Sequence, residues 1–92
     1  MSPKQFEQIY PDFTGILYID TCTFIDTKMI ESLDKLKISY LKLNIFSLDT
    51  KLLKMFSVDI GPNLFRFQNG RIVDRLQSLV NNEKIEEFCN KV

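Results

Sequence analysis

Ninety-two residues carry 12 Lys and Arg against 12 Asp and Glu, with no His. The balance gives no electrostatic case for nucleic acid or an acidic membrane surface. Without imidazole, the chain cannot build Ser-His or Cys-His nucleophile pairs or His metal sites from its own residues.

A chain this short suits one domain, residues 1–92, burying about 60% of the surface its unfolded form exposes. Apolar content of 45%, with eight Phe, predicts a packed core rather than disorder. No apolar run approaches the roughly 18 residues of a membrane helix, and MSPKQFEQ lacks the apolar stretch of a secretory signal. The two cysteines, Cys22 and Cys89, stand too far apart in sequence to form a disulfide framework. A reducing compartment is expected, the cytoplasm with the nucleus as alternative. No CxxC, glycine-rich phosphate loop or zinc-spaced ligand cluster appears, so no cofactor and no metal are expected.

In chain order, Ser2-Pro3-Lys4-Gln5 reads as a capping box with proline at the first helical position, followed by the stripe Phe6, Ile9, Tyr10 and Phe13. Pro11 sets the end of that helix. Gly15 to Ile19 is a continuous apolar run, as in a strand covered on both faces. A second helix begins at about Asp26 or Thr27, with Met29, Ile30, Leu33 and Leu36 on one side. Ile38 to Ile45 alternates as a second strand. Ser47 can cap a third helix whose apolar side is Leu48, Leu52, Met55 and Phe56. Ile60-Gly61-Pro62-Asn63 turns into a strand at Leu64 to Gln68. Asn69-Gly70 is a strong two-residue hairpin signal, returning along Arg71 to Leu76. A last helix opens at Asn82, with Ile85, Phe88, Cys89 and Val92 inward. The order α-β-α-β-α-β-β-α predicts a mixed four-stranded sheet flanked by helices. Its first two strands should be parallel and its last two an antiparallel edge hairpin.

Lys28-Met29-Ile30, Leu43-Asn44-Ile45, Pro62-Asn63-Leu64, Phe67-Gln68-Asn69-Gly70 and Ile85-Glu86-Glu87-Phe88 fall in the order and at nearly the spacing seen in thioredoxins. The chain resembles that family over almost its whole length. The resemblance implies a thioredoxin-like fold lacking the family's first, edge strand. Aligned on Lys-Met-Ile, the motif WCGPCKMI places its tryptophan on Thr23, its nucleophilic cysteine on Phe24, its glycine on Ile25, its proline on Asp26 and its resolving cysteine on Thr27. Disulfide exchange needs a thiolate of lowered pKa and a second thiol, which Phe24 and Thr27 cannot supply. In the same register the family's buried aspartate falls on Tyr18, and the glycine beside the substrate groove on Gln77. The residue before the conserved cis-proline becomes Gly61, and a cis Gly61–Pro62 bond is implied.

The resemblance therefore implies a redox-inactive thioredoxin-like domain with no catalytic residues, acting as a protein-binding or assembly module. Domains with this fate occur among spliceosomal thioredoxin-like proteins, phosducin-like cofactors and proteasome subunits, and a ribosome-like particle would serve equally. The expected contact surface is Phe24, Ile25, Asp26, Gly61, Pro62 and Gln77; an open sheet edge is a second route to a partner. The alternative is a monothiol or glutathione-linked protein using Cys22. Cys22 reads first as a small hydrophobe at a strand end, and Cys89 as core. Arg66, Arg71 and Arg75 gather on the edge hairpin, where a solvated face that blunts edge pairing is favoured over RNA contact.

Overall fold

The computed structural model describes residues 1–91. Helix α1 (Pro3–Ile9) leads into strand β1 (Gly15–Asp20), helix α2 (Phe24–Lys35) and strand β2 (Leu41–Asn44). After a 3₁₀ turn at Ile45–Ser47 come helix α3 (Thr50–Met55), strands β3 (Asn63–Gln68) and β4 (Arg71–Leu76), and helix α4 (Asn82–Cys89).

The strand order is β2-β1-β3-β4. β1 is the hub: it runs parallel to β2, Leu17 opposite Leu41, and antiparallel to β3, Tyr18 opposite Leu64. The hairpin of β3 and β4 is antiparallel, with an irregularity between Arg66 and Phe67. No strand precedes α1 among the described residues, and β2 is the second edge. No helix among them is long and apolar enough to cross a membrane.

Because successive side chains of a strand point to opposite faces, β1 feeds two cores. Leu17 and Ile19 pack with Phe6, Leu43, Leu48, Leu52, Phe56, Phe65 and Phe67 on the side of α1 and α3. Ile16 and Tyr18 pack with Met29, Leu33, Leu64, Ile85 and Phe88 on the side of α2 and α4. Full burial of one such side chain is worth about 1.5–3 kcal/mol, so a residue slip in β1 would be costly on both faces at once. The first core is stiffened by aromatic contacts: Phe56 meets Phe6 edge-on at 5.4 Å and Phe67 at 6.2 Å.

Helix starts follow their caps. Ser2 and Gln5 form the expected capping box of α1, although Ile9 of the expected stripe stays exposed. α2 begins earlier than expected, at Phe24, for a reason given below. Asp49, not Ser47, caps α3: its carboxylate accepts from the Leu52 N–H at 2.8 Å. The Ser47 hydroxyl is spent on the Asn44 carbonyl inside the 3₁₀ turn. α3 is accordingly short, and Met55 at its end is half exposed rather than core. β2 is trimmed to four residues, while α4 opens at Asn82 as read, with Asn81 as its cap. The inward position expected for Val92 lies outside the described residues.

The implied cis Gly61–Pro62 bond is not found; no described peptide bond is cis. The 59–63 turn is organised differently. The buried Asn63 amide donates to the carbonyls of Asp59 (3.1 Å) and Gly61 (3.0 Å), and its oxygen accepts from the Asp59 N–H. Gly61 takes φ +109°, a backbone position that side chains rarely adopt, and so reverses the chain with the proline trans.

The hairpin tip is as read. Asn69 and Gly70 both have positive φ, +53° and +80°, as a type I′ turn requires. The tip is also fastened to the α1–β1 loop. Gly70 N–H donates to the Phe13 carbonyl at 2.9 Å, Asn69 N–H to the Thr14 hydroxyl at 3.0 Å, and a Cβ on Gly70 would stand 2.4 Å from the Pro11 oxygen.

Candidate functional site

The C-terminal ends of β1 and β2 and the N-terminal end of β3 meet at one pole of the sheet. Three loops close it: residues 21–23 into α2, 45–49 into α3, and 57–62 into β3.

Asp26 organises the first loop. It lies in the first turn of α2, yet only 1% of its surface reaches solvent. Tyr18, rising from the middle of β1 and fully buried, donates its hydroxyl to Oδ1 at 2.5 Å. Oδ2 accepts from the backbone N–H and the hydroxyl of Thr21 (3.1 and 2.6 Å), and from the N–H and hydroxyl of Thr23 (2.9 and 2.8 Å). These bonds fold residues 21–23 over the carboxylate, which is why α2 can start at Phe24. Burial alone would raise the Asp26 pKa, but the hydrogen bonds from Thr21, Tyr18 and Thr23 outweigh it and hold the carboxyl below its usual range. The Tyr18 phenol is driven the other way, by burial first and then by its bond to Asp26. A carboxylate so saturated, with its basicity lowered, is a poor proton acceptor for chemistry.

Cys22 sits on the rim of this loop, exposed, with φ +62°. Its N–H donates to the Asp20 carboxylate at 2.8 Å, and the Asn44 amide reaches its sulfur at 3.5 Å. The other thiol cannot assist it. Cys89 lines a cavity with Gly15 and Ile16 at the far end of β1, roughly 17 Å away along the strand, well beyond disulfide reach.

The apolar groups of the pole are unusually open. Phe24 is 72% exposed, with the Lys28 ammonium 5.2 Å from its ring centre. Phe46 is 84% exposed and Ile60 90% exposed. Thr21, Thr23, Ile45, Val58, Asp59 and Ile60 line a shallow depression there. Leu79, half exposed, lies on the loop by which β4 enters α4 at the same pole.

The expected contact residues divide accordingly. Phe24 projects, and Ile25 is half-buried. Asp26, Gly61 and Pro62 are buried, so they shape the surface from beneath. Gln77 is exposed beside the 59–63 turn, its amide donating to the Ser57 carbonyl and to Asn63. The sequence reading missed Phe46, Ile60 and Leu79. Their signal was available: large apolar residues inside predicted loops. The hairpin arginines are not one patch. Arg75 lies over the Phe65 ring and donates to the Phe56 carbonyl on the α1/α3 side, whereas Arg66 pairs across the sheet with Ile16, on the α2/α4 side. The stems of Arg66 and Arg75 thus lie with opposite cores, and Arg71 is exposed near the hairpin tip.

No family model matches the sequence, and no curated protein matches it. Among solved structures, the chain is similar to the reduced thioredoxin pre-protein of Schistosoma mansoni, with a TM-score of 0.70 over 94% of this chain and 85% of that one. Sequence identity is 10%, so the likeness speaks to backbone architecture alone. The chain has a thioredoxin-like fold.

Proposed function

We propose that this chain is a redox-inactive thioredoxin-like domain that binds a protein partner, as a module or small subunit of a larger assembly. The observation that carries the reading is the exposure of Phe24, Phe46 and Ile60 around one pole. Several large apolar side chains held in solvent at one end of a small domain favour a contact site, since aromatic and aliphatic anchors supply most interface energy. Against catalysis stand the spent Asp26 carboxylate and the separation of the two thiols.

The test is affinity capture from native cells with the parent protein, Phe24→Asp, Ile60→Asp and, as a control, Ile9→Asp. Ile9 is exposed on α1, away from the pole. A specific partner should survive Ile9→Asp and be lost in the other two variants. A partner kept by all variants moves the interface elsewhere, with the open edge of β2 the next candidate. The monothiol alternative rests on the exposed Cys22 and its contact with the Asn44 amide. Glutathione-dependent disulfide reduction that disappears in Cys22→Ser would establish that alternative and refute the redox-inactive reading.

A further inference from the structure

Strand β3 places one cation, Arg66, on the sheet face that carries Leu64 and the α2/α4 core. Arg66 stands opposite Ile16 on β1 and Asp74 on β4, beside the core formed by Ile16, Leu64 and Phe88. Its Nε is buried without a hydrogen-bond partner, the one such side-chain atom among the described residues. Leaving a buried donor unmatched costs about 1–3 kcal/mol. The obvious acceptor does not serve it. The Asp74 carboxylate accepts from the Arg75 N–H at 2.9 Å and pairs with Lys91 at 3.8 Å.

Arg66 lines a cavity of about 210 Å³ together with Thr14, Ile16, Phe67, Cys89 and Lys91. This cavity lies at the hairpin-tip end of the sheet, opposite the pole described above. The Thr14 oxygen accepts from Asn69, which leaves its hydroxyl hydrogen free to donate. Guanidinium, hydroxyl and ammonium thus line it as donors together with Gln68, while Ile16 and Cys89 supply apolar wall; the Phe67 ring packs on the opposite face of the sheet. Burial pushes the Cys89 thiol up to about 11, so it stands there as neutral S–H and repels no anion near pH 7. Among the described residues, the charges around the cavity are Arg66 and Lys91 against Asp74, one more positive than negative; Lys84 and Glu87 of α4, which cancel, lie near Lys91.

We infer that this cavity binds a small carboxylate with a short apolar chain, its oxygens held by Arg66, Thr14 and Lys91 and its carbon chain against Ile16 and Cys89. A monoanion matches the local charge, and the planar guanidinium matches a carboxylate in a two-point fork. A phosphate dianion would bring a second negative charge toward Asp74 and leave the Ile16 and Cys89 wall unmatched. Because Nε is closed to solvent, engaging it takes a small rearrangement of the side chain at the cavity wall.

The test is NMR titration of the whole 92-residue chain with sodium butyrate at pH 7 and constant ionic strength, following the Arg66 Nε–H resonance. Its burial should slow exchange with water enough for the signal to be seen. Saturable downfield movement in the millimolar range is expected; binding followed in the variants by the backbone amides of Gly15 and Ile16, which line the same cavity, should be weakened at least about tenfold in Arg66→Gln and about threefold in Lys91→Gln. Phe24→Asp should titrate like the parent. If Arg66→Gln does not fold, the parent resonance still decides the matter. An unmoved or non-saturating Nε–H signal overturns the proposal, as does tighter binding of inorganic phosphate than of butyrate.

Discussion

The Asp26 carboxylate shows how one residue can be misread from its position and understood from its partners. In the alignment to thioredoxins it stood at a rim position of the motif and was expected to meet a partner. The sequence could not reveal that Tyr18, eight residues earlier, would aim its hydroxyl at it, since that depends on where β1 lies beneath α2. Thr23 and Asp26 do have the N-cap spacing of a capping box, and weighing it would have started the helix correctly. Asp26→Asn should destabilise the fold by about 2–3 kcal/mol at pH 7, read from urea unfolding. Tyr18→Phe should cost about 1–2 kcal/mol by removing the donor to Oδ1. The pH dependence has a definite sign. The folded pKa of Asp26 lies below its unfolded value, so the unfolded chain takes up the proton first as pH falls. The stability it contributes is complete above the unfolded value of about 3.9 and is lost as pH drops through the folded one. Parent unfolding midpoints should therefore fall between pH 5 and more acid buffers, while Asp26→Asn shows a flatter profile across the same range.

At the scale of elements, legibility followed how local the determining physics is. The capping box of α1, the apolar run of β1 and the Asn69-Gly70 turn each rest on residues within a few positions of one another, and each stands where it was read. The start of α3 was misplaced because Ser47 and Asp49 are both good caps. The choice went to Asp49 once the Ser47 hydroxyl had turned to Asn44. The Gly61–Pro62 turn was misread because its form is set by the buried Asn63 amide, a role no spacing rule announces. The hairpin tip offers the sharpest test. Gly70→Ala puts a methyl group into the Pro11 carbonyl and strains a positive φ, and should cost about 2 kcal/mol or more. Asn69→Gly, which keeps the turn geometry, should change stability by less than about 0.5 kcal/mol. Thermal unfolding of the two variants compares them directly.

For the molecule as a whole, folding and surface should prove separable. Phe56→Ala opens the aromatic core and should cost about 3–5 kcal/mol. Phe24→Asp and Ile60→Asp should unfold within about 0.5 kcal/mol of the parent, as solvent-exposed changes do. An aspartate at the first helical position even suits the helix dipole, so loss of a partner in Phe24→Asp could not be blamed on loss of the fold. The layered architecture was legible because alternation and helical period fix which side chains face inward. The apolar pole was only half legible, because exposure in loops is decided by how three separate connections pack. The fastening of residues 69 and 70 to residues 11–14 also joins the two halves of the chain in time. The α1–β1 connection cannot reach its final form until more than fifty residues have followed it and the hairpin has closed. A chain interrupted before residue 70 should leave α1 loosely held. In the finished protein, the amide hydrogens of Asn69 and Gly70, which donate to Thr14 and Phe13, should exchange with solvent only when the α1–β1 loop lets go of the hairpin.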